Sequence, residues 1–147
     1  TFWANYSNTV DPLLGSNDKI MNAFRQGRAA IVAKDNAAKN ANRNILYKEL
    51  ELVAAGTAIH YINQSITAIN QGNTGDLFHV LSEAYMFTRA LTFSPQRTIT
   101  LSQIHNIHNV DFGIGGDFWM VSAEGLNNAK NTIAAAYPSL EAVKDEL

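Results

Sequence analysis

Cysteine is absent from this sequence of 147 residues, and proline occurs only three times. A chain without cysteine has no disulfide, no iron–sulfur cluster, no thiolate zinc site and no cysteine nucleophile. It also lacks an apolar run of the roughly 20 residues that a membrane-spanning helix needs. What is left is a chain of one domain's length, long enough to bury a substantial core.

Charge is scarce as well. Charged residues make up 16% of the chain, and 11 Lys and Arg against 13 Asp and Glu give a formal net charge of -2. Proteins bind nucleic acid largely through electrostatic attraction to phosphate. The overall charge therefore argues against a nucleic-acid partner. Many alanines favour helix, and many asparagines favour helix caps and turns.

Helical periodicity is the strongest positive signal, and no segment shows the alternation of a strand. Residues 36–71 are predicted to form one long helix, which Gly72–Gly75 ends. Its apolar residues recur at spacings of three and four: Leu52, Ala55, Ile59, Ile62, Ile66 and Ile69, extended backwards by Ile45. A second stripe (Leu46, Leu50 and Val53) runs beside the first. A helix with two apolar stripes contacts two neighbours, so it is predicted to be central.

Four further helices are predicted around the long one, over residues 16–33, 76–93, 100–110 and 122–137, with a short final turn to residue 147. The first of them is expected to begin at Ser16, where Ser16, Asn17 and Asp18 offer capping oxygens. Ile104, Ile107 and Val110 are expected to face the core. Residues 1–15 are predicted to be irregular, with Phe2, Trp3 and Tyr6 packed on the rest of the protein or on a part that is missing. The glycines at 113, 115 and 116 are predicted to form a turn that lets Phe112, Phe118 and Trp119 tuck inward. The predicted fold is an all-α antiparallel bundle of about five helices in a single domain, residues 1–147.

His79 and Glu83 are separated by four residues on a predicted helix, so they share one face. An imidazole and a carboxylate in this arrangement are half of a metal site for iron or zinc. A buried structural hydrogen bond between them, or a Glu83–arginine pair, is the alternative. Ser82 lies between them without the strained turn of a serine nucleophile, so nucleophilic catalysis finds little support.

Two further groups of polar residues are secondary candidates. His105 and His108 are three residues apart and could chelate a metal, although a solvated polar face on a short helix explains them as well. His60 lies beside the seam of the long helix and is predicted to be a core or boundary residue. Arg25 and Arg28 flank Gly27 and are either a clamp for an anionic ligand or half of a structural ion pair with Glu49, Glu51 or Glu83.

Three segments carry a family resemblance: residues 2–6 (FWANY), 24–31 (FRQGRAAI) and 79–84 (HVLSEA). Together they resemble the C-terminal half of bacterial envelope proteins grouped as domain of unknown function 4856, which are similar to the imelysin-like proteins. The resemblance implies an imelysin-like helical bundle, a location in the periplasm, at the outer membrane or on the cell surface, and an iron or zinc ion. It also implies that residues 1–147 are the C-terminal part of a longer helical domain. The partners expected from it are upstream helices of the same protein or a second copy.

One feature departs from the imelysin pattern. Imelysin-like proteins carry a Gly-x-His-x-x-Glu motif, whereas here Leu77 stands two residues before His79 and the acid follows four residues after it. The metal role therefore does not transfer residue by residue. Two functions remain: an envelope protein that binds a metal ion or small ligand through His79 and Glu83, or a non-enzymatic scaffold or interaction subunit whose polar cluster is structural. An enzyme is the least favoured reading.

Overall fold

The computed structural model describes residues 2–147, apart from the side chain of Phe2. Every regular element within these residues is helical, and the predicted all-α fold is confirmed. The seven α-helices are α1 (Phe2–Leu14), α2 (Ser16–Val32), α3 (Asn36–Gln71), α4 (Thr74–Ala90), α5 (Leu101–Asn106), α6 (Ala123–Ala136) and α7 (Pro138–Glu141). A 3-10 turn, Leu91–Phe93, continues α4, and a π-helical turn, Ile107–Asp111, continues α5. Two more 3-10 turns follow, at Ile114–Gly116 and Phe118–Met120.

Helix α3 is the centre of the fold, as predicted. Asp35 caps its start by accepting the Ala38 N–H at 2.9 Å, and Gly72 ends it in the left-handed conformation. Every residue from 51 to 59 is buried, where α1, α4 and α6 pack around it. Residues 36–50 differ: only Asn42 among them is buried, and the main neighbour of this half is α2. The C-terminal part of α3 is therefore surrounded by helices, whereas its N-terminal part packs mainly against α2.

The prediction that residues 1–15 are irregular is wrong, because residues 2–14 form α1. Tyr6, Val10 and Leu14 recur every four residues and place one face of α1 against the core. The expected packing of the aromatic residues is confirmed for Trp3 and Tyr6, whose rings contact Phe87 at centroid distances of 6.0 and 4.7 Å. The same expectation for Phe2 lies outside the described residues.

Three local predictions also need correction. Helix α2 begins at Ser16 as predicted, but the Ser16 side chain is buried and does not cap the helix; the Asp11 carboxylate accepts the Asn17 N–H at 2.7 Å. Val110 and Trp119 are exposed rather than packed inward. Ile107, His108 and Asp111 follow Ile104 at helical spacings of three, four and seven, so they share its buried face, whereas Val110 lies off that face and is exposed to solvent.

Candidate functional site

The structure places the predicted metal pair on a partly open face of α4. The His79 side chain is exposed, Glu83 is half-buried, and the Ser82 hydroxyl donates to the His79 carbonyl oxygen at 2.7 Å. Within residues 2–147 no three His, Asp or Glu side chains lie close enough together to hold a metal ion. This arrangement contains neither a third ligand nor the buried His–Glu hydrogen bond of the alternative reading. Metal binding by His79 and Glu83 stays a prediction.

His105 lies in α5, and His108 lies in the π-helical turn that follows it. His105 is exposed, and its Nδ1 lies 3.2 Å from the Asn109 amide nitrogen. His108 is only 8% exposed, so the reading of this pair as a solvated polar face does not hold for it. Its ring stacks on Tyr85 at a centroid distance of 4.0 Å, and its Nε2 lies 2.7 Å from the Thr88 hydroxyl. The two histidines thus occupy different environments.

The hydrogen bonds of Thr88 define the state of the His108 ring. The Thr88 hydroxyl lies 2.9 Å from the carbonyl oxygens of Ala84 and Tyr85, and its single hydrogen points to this pair. Its oxygen therefore accepts from His108, whose Nε2 carries a hydrogen. Burial, together with the nearby charge of Arg89, lowers the pKa of His108 from 6.5 to about 4. A neutral His108 is a packing and hydrogen-bonding group of the fold.

The lowered pKa of His108 makes stability depend on pH. Below pH 6.5 His108 of the unfolded chain becomes protonated, whereas His108 of the folded protein stays neutral until about pH 4. We expect the free energy of unfolding to fall by about 1–3 kcal/mol over this interval. Denaturant unfolding at a series of pH values measures the fall. The fall in the free energy of unfolding should be smaller in His108→Gln, which keeps a donor for Thr88. It should persist in His105→Gln, a control at an exposed position. An unchanged fall in His108→Gln would contradict the lowered pKa of His108.

Asp111 ends the π-helical turn inside the protein. Its carboxylate accepts from the Asn106 amide at 3.3 Å, and burial raises its pKa above the ordinary value. Burial also lowers the pKa of half-buried His60, whose Nε2 lies 2.9 Å from the Gln64 amide nitrogen. The prediction of His60 as a core or boundary residue is confirmed. Both groups have hydrogen-bond partners within the fold, as structural polar residues do.

The most elaborate polar cluster centres on Glu51, which sequence reasoning considered only as an arginine partner. Glu51 is 6% exposed and lies at the start of the fully buried part of α3. Its carboxylate accepts three hydrogen bonds: from the Tyr137 hydroxyl at 2.7 Å, from the Thr98 N–H at 3.0 Å and from the Ser94 hydroxyl. The sequence signal was a single carboxylate beside an otherwise uncharged run, residues 52–59. The cluster ties the loop after α4 and the end of α6 to the central helix.

Arg25 and Arg28 lie exposed on α2 and form no ion pair within the described residues. The ion pairs there are Lys19–Glu49 at 3.7 Å, Lys130–Asp145 at 2.7 Å and Lys144–Glu141 at 2.6 Å. Because Glu51 is occupied by its three donors, the structural ion pair expected for the two arginines does not form with it. Their role as a clamp for an anionic group stays a prediction.

The two arginines belong to a strongly basic part of the chain, residues 19–48, which we call the basic hairpin. It comprises most of α2, the turn and the first half of α3. Seven of the 11 cationic residues lie in it, with Asp35 as the single acid. The basic hairpin therefore carries +6 and the rest of the chain -8, which together give the net -2. The overall charge conceals this separation.

Large apolar side chains are also exposed on the basic hairpin. Val32 is 78% exposed, and the other exposed ones are Met21, Phe24, Ile31, Ile45 and Tyr47. A groove of about 350 Å³ runs between the two helices. Nine residues line it, and none is acidic: Ala23, Phe24, Gly27, Arg28, Ile31, Lys39, Asn42, Arg43 and Leu46. The arrangement suits an apolar group with a negative charge beside it.

Comparison with known proteins yields one match. A family model described as Domain of unknown function (DUF4856) matches residues 1–139. No curated protein and no solved structure matches the chain. No helix within residues 2–147 combines the length and apolar character needed to cross a lipid bilayer.

Proposed function

The chain belongs to the family described as a domain of unknown function (DUF4856), and we propose that it is a non-enzymatic helical interaction module whose binding face is the basic hairpin. The concentration of seven cations and several large exposed apolar side chains on one pair of helices carries this proposal. Single exposed apolar residues are common on protein surfaces, but a contiguous group with a charged border is typical of a binding surface.

Three buried polar clusters support this proposal, because each has a structural explanation. Glu51 has three donors, His108 is paired with Thr88, and Lys130 donates to Asp145 at 2.7 Å and to Asn63 at 3.2 Å. Buried polar groups that are satisfied within the fold stabilise one arrangement of helices. The charges of these clusters are engaged inside the fold, whereas Arg25, Arg28 and Arg43 of the basic hairpin are exposed to solvent.

A dye with apolar rings and a sulfonate, 1-anilinonaphthalene-8-sulfonate, tests whether this face binds such groups. We expect the folded chain to bind it, and Phe24→Ser/Ile31→Ser to weaken that binding at least about fivefold, because two apolar contacts are lost. Phe93→Ser/Ile114→Ser is the matched control, since those side chains are exposed to a similar degree elsewhere. Dye binding that the control reduces and the hairpin variant does not would refute the proposed face.

Iron or zinc binding at His79 and Glu83 stays a prediction from their spacing on the helix. The extracytoplasmic location, and upstream helices or a second copy as partners, stay predictions from the resemblance. We expect no iron or zinc binding that depends on His79. His79→Ala should leave the metal content of protein loaded with iron or zinc unchanged. It should change the free energy of unfolding by no more than about 0.5 kcal/mol, because the His79 side chain is exposed. Stoichiometric metal that disappears in His79→Ala would establish a ligand site instead.

A further inference from the structure

The geometry of the basic hairpin suggests what covers it. Two antiparallel helices with apolar residues on a shared outer face bury that face by packing further helices onto it. In the described chain, the covering helices α4 and α6 pack on the C-terminal part of α3, where residues 51–59 are buried. The first half of α3 and the outer face of α2 lack such a layer.

The groove has the shape of a receptor for side chains from a neighbouring helix. Its floor is made of small residues, Ala23 and Gly27, and a Cβ added to Gly27 would lie 3.5 Å from the Asn42 Cβ. Its apolar walls are Phe24, Ile31 and Leu46. A volume of about 350 Å³ accommodates about two large apolar side chains. Residues four apart on one helix supply such a pair, because they share a face.

The charges beside the groove select the partner's polar residues. Arg28, Lys39 and Arg43 line it without an acidic neighbour. A helix that inserts apolar anchors would bring its flanking side chains against these cations, which attract carboxylates and repel lysine and arginine.

Asn42 adds a polar contact at the floor. It is 7% exposed; its amide nitrogen donates to the Ala38 carbonyl oxygen at 2.9 Å, but its Oδ1 has no partner among the described residues. A buried acceptor left unsatisfied is unfavourable. A polypeptide offers hydroxyl or amide donors that can satisfy it once the groove adjusts, whereas lipid chains offer none. This contrast favours a polypeptide over lipid acyl chains as the occupant of the groove.

Resting on the proposed function, we infer that the occupant of the basic hairpin is an amphipathic helix of another polypeptide, with apolar anchors in the groove and carboxylates beside them. The probe is a pair of synthetic helical peptides of about 18 residues, five turns. Both carry leucines four residues apart, flanked by glutamates in one peptide and by lysines in the other. Isothermal titration measures their affinity for the full chain, at low and at high salt.

We expect the glutamate peptide to bind saturably, more weakly at high salt, and at least about tenfold more tightly than the lysine peptide. Arg28→Glu/Arg43→Glu should reverse this preference, whereas Arg89→Glu/Arg97→Glu, outside the hairpin, should preserve it. Both positions of the first pair are solvent-exposed, so the variant is expected to fold, which circular dichroism checks. Asn42→Ala should raise the Tm by a few degrees and weaken the binding of the glutamate peptide. A lower Tm together with tighter peptide binding would exclude Asn42 from the contact.

Other outcomes separate this inference from the proposed function. Equal binding of both peptides that Phe24→Ser/Ile31→Ser weakens would overturn the acidic partner and keep the binding face. A second set of outcomes would have the same meaning: neither peptide binds, but phosphatidylglycerol vesicles, duplex DNA or a second copy of the chain bind in a way that the hairpin substitutions weaken. If the hairpin substitutions change the binding of none of the peptides, vesicles, DNA or dye, both the inference and the proposed function fail.

Discussion

Glu51→Ala is expected to lower the free energy of unfolding by about 3–5 kcal/mol, one of the two largest effects of a single substitution in this chain. The substitution removes the acceptor of three donors at once. The Tyr137 hydroxyl is buried, and the Thr98 N–H and Ser94 hydroxyl are partly buried, so water replaces the carboxylate poorly. The loop after α4 and the end of α6 would lose their common attachment to α3.

Denaturant unfolding of Glu51→Ala beside two other variants measures this effect. Glu146→Ala, an exposed carboxylate, should change the free energy of unfolding by no more than about 0.5 kcal/mol. Tyr137→Phe removes one donor and should cost about 1 kcal/mol in the native background but less when Glu51 is already alanine, because the two groups contact each other. A loss below about 1 kcal/mol for Glu51→Ala would show that the cluster contributes little.

Gly113→Ala is expected to cost at least about 3 kcal/mol and to prevent folding if stability is marginal. Gly113 has a φ of +122°, a conformation that side chains rarely adopt, and an added Cβ would lie 1.9 Å from the Asp117 carbonyl oxygen. Backbone cannot yield as a flexible side chain does. The strain would fall on the loop that follows the π-helical turn.

Gly115→Ala in the same loop is the matched control. Gly115 also has a positive φ, +72°, but nothing lies within 4 Å of an added Cβ. We therefore expect only the conformational cost of about 1–2 kcal/mol. Thermal unfolding followed by circular dichroism compares the two variants. Equal losses at both positions would mean that the close approach to Asp117 does not decide the effect at Gly113.

Much of the helical framework was predictable because its signals are local. Helix α3 was assigned correctly from apolar spacing and from Gly72, and α6 from Ser122, which accepts the Gly125 N–H at 3.1 Å. Helix α1 was missed although Tyr6, Val10 and Leu14 recur every four residues, because Pro12 and the surrounding polar residues obscure the pattern. Pro12 lies inside the last turn of α1 without ending it.

The candidate sites were less predictable. The charge asymmetry of residues 19–48 is visible in the sequence, although the whole-chain charge conceals it. Arg25 and Arg28 were identified there, but their surroundings were not. His108 was grouped with His105 by spacing alone, and spacing does not show which of the two packs against Tyr85 and Thr88 of α4.

The amino-acid sequence by itself determined that this chain is helical, where its long helix begins and ends, and that one segment is basic. These properties depend on caps, turns and residue spacing, which act over a few residues. Tertiary structure alone decided that Glu51 binds Ser94 and Tyr137, which are 43 and 86 residues away, and that His108 is buried. It also decided that α4 and α6 cover one end of α3 and leave the basic hairpin open, because helix coverage follows from packing between segments distant in the chain.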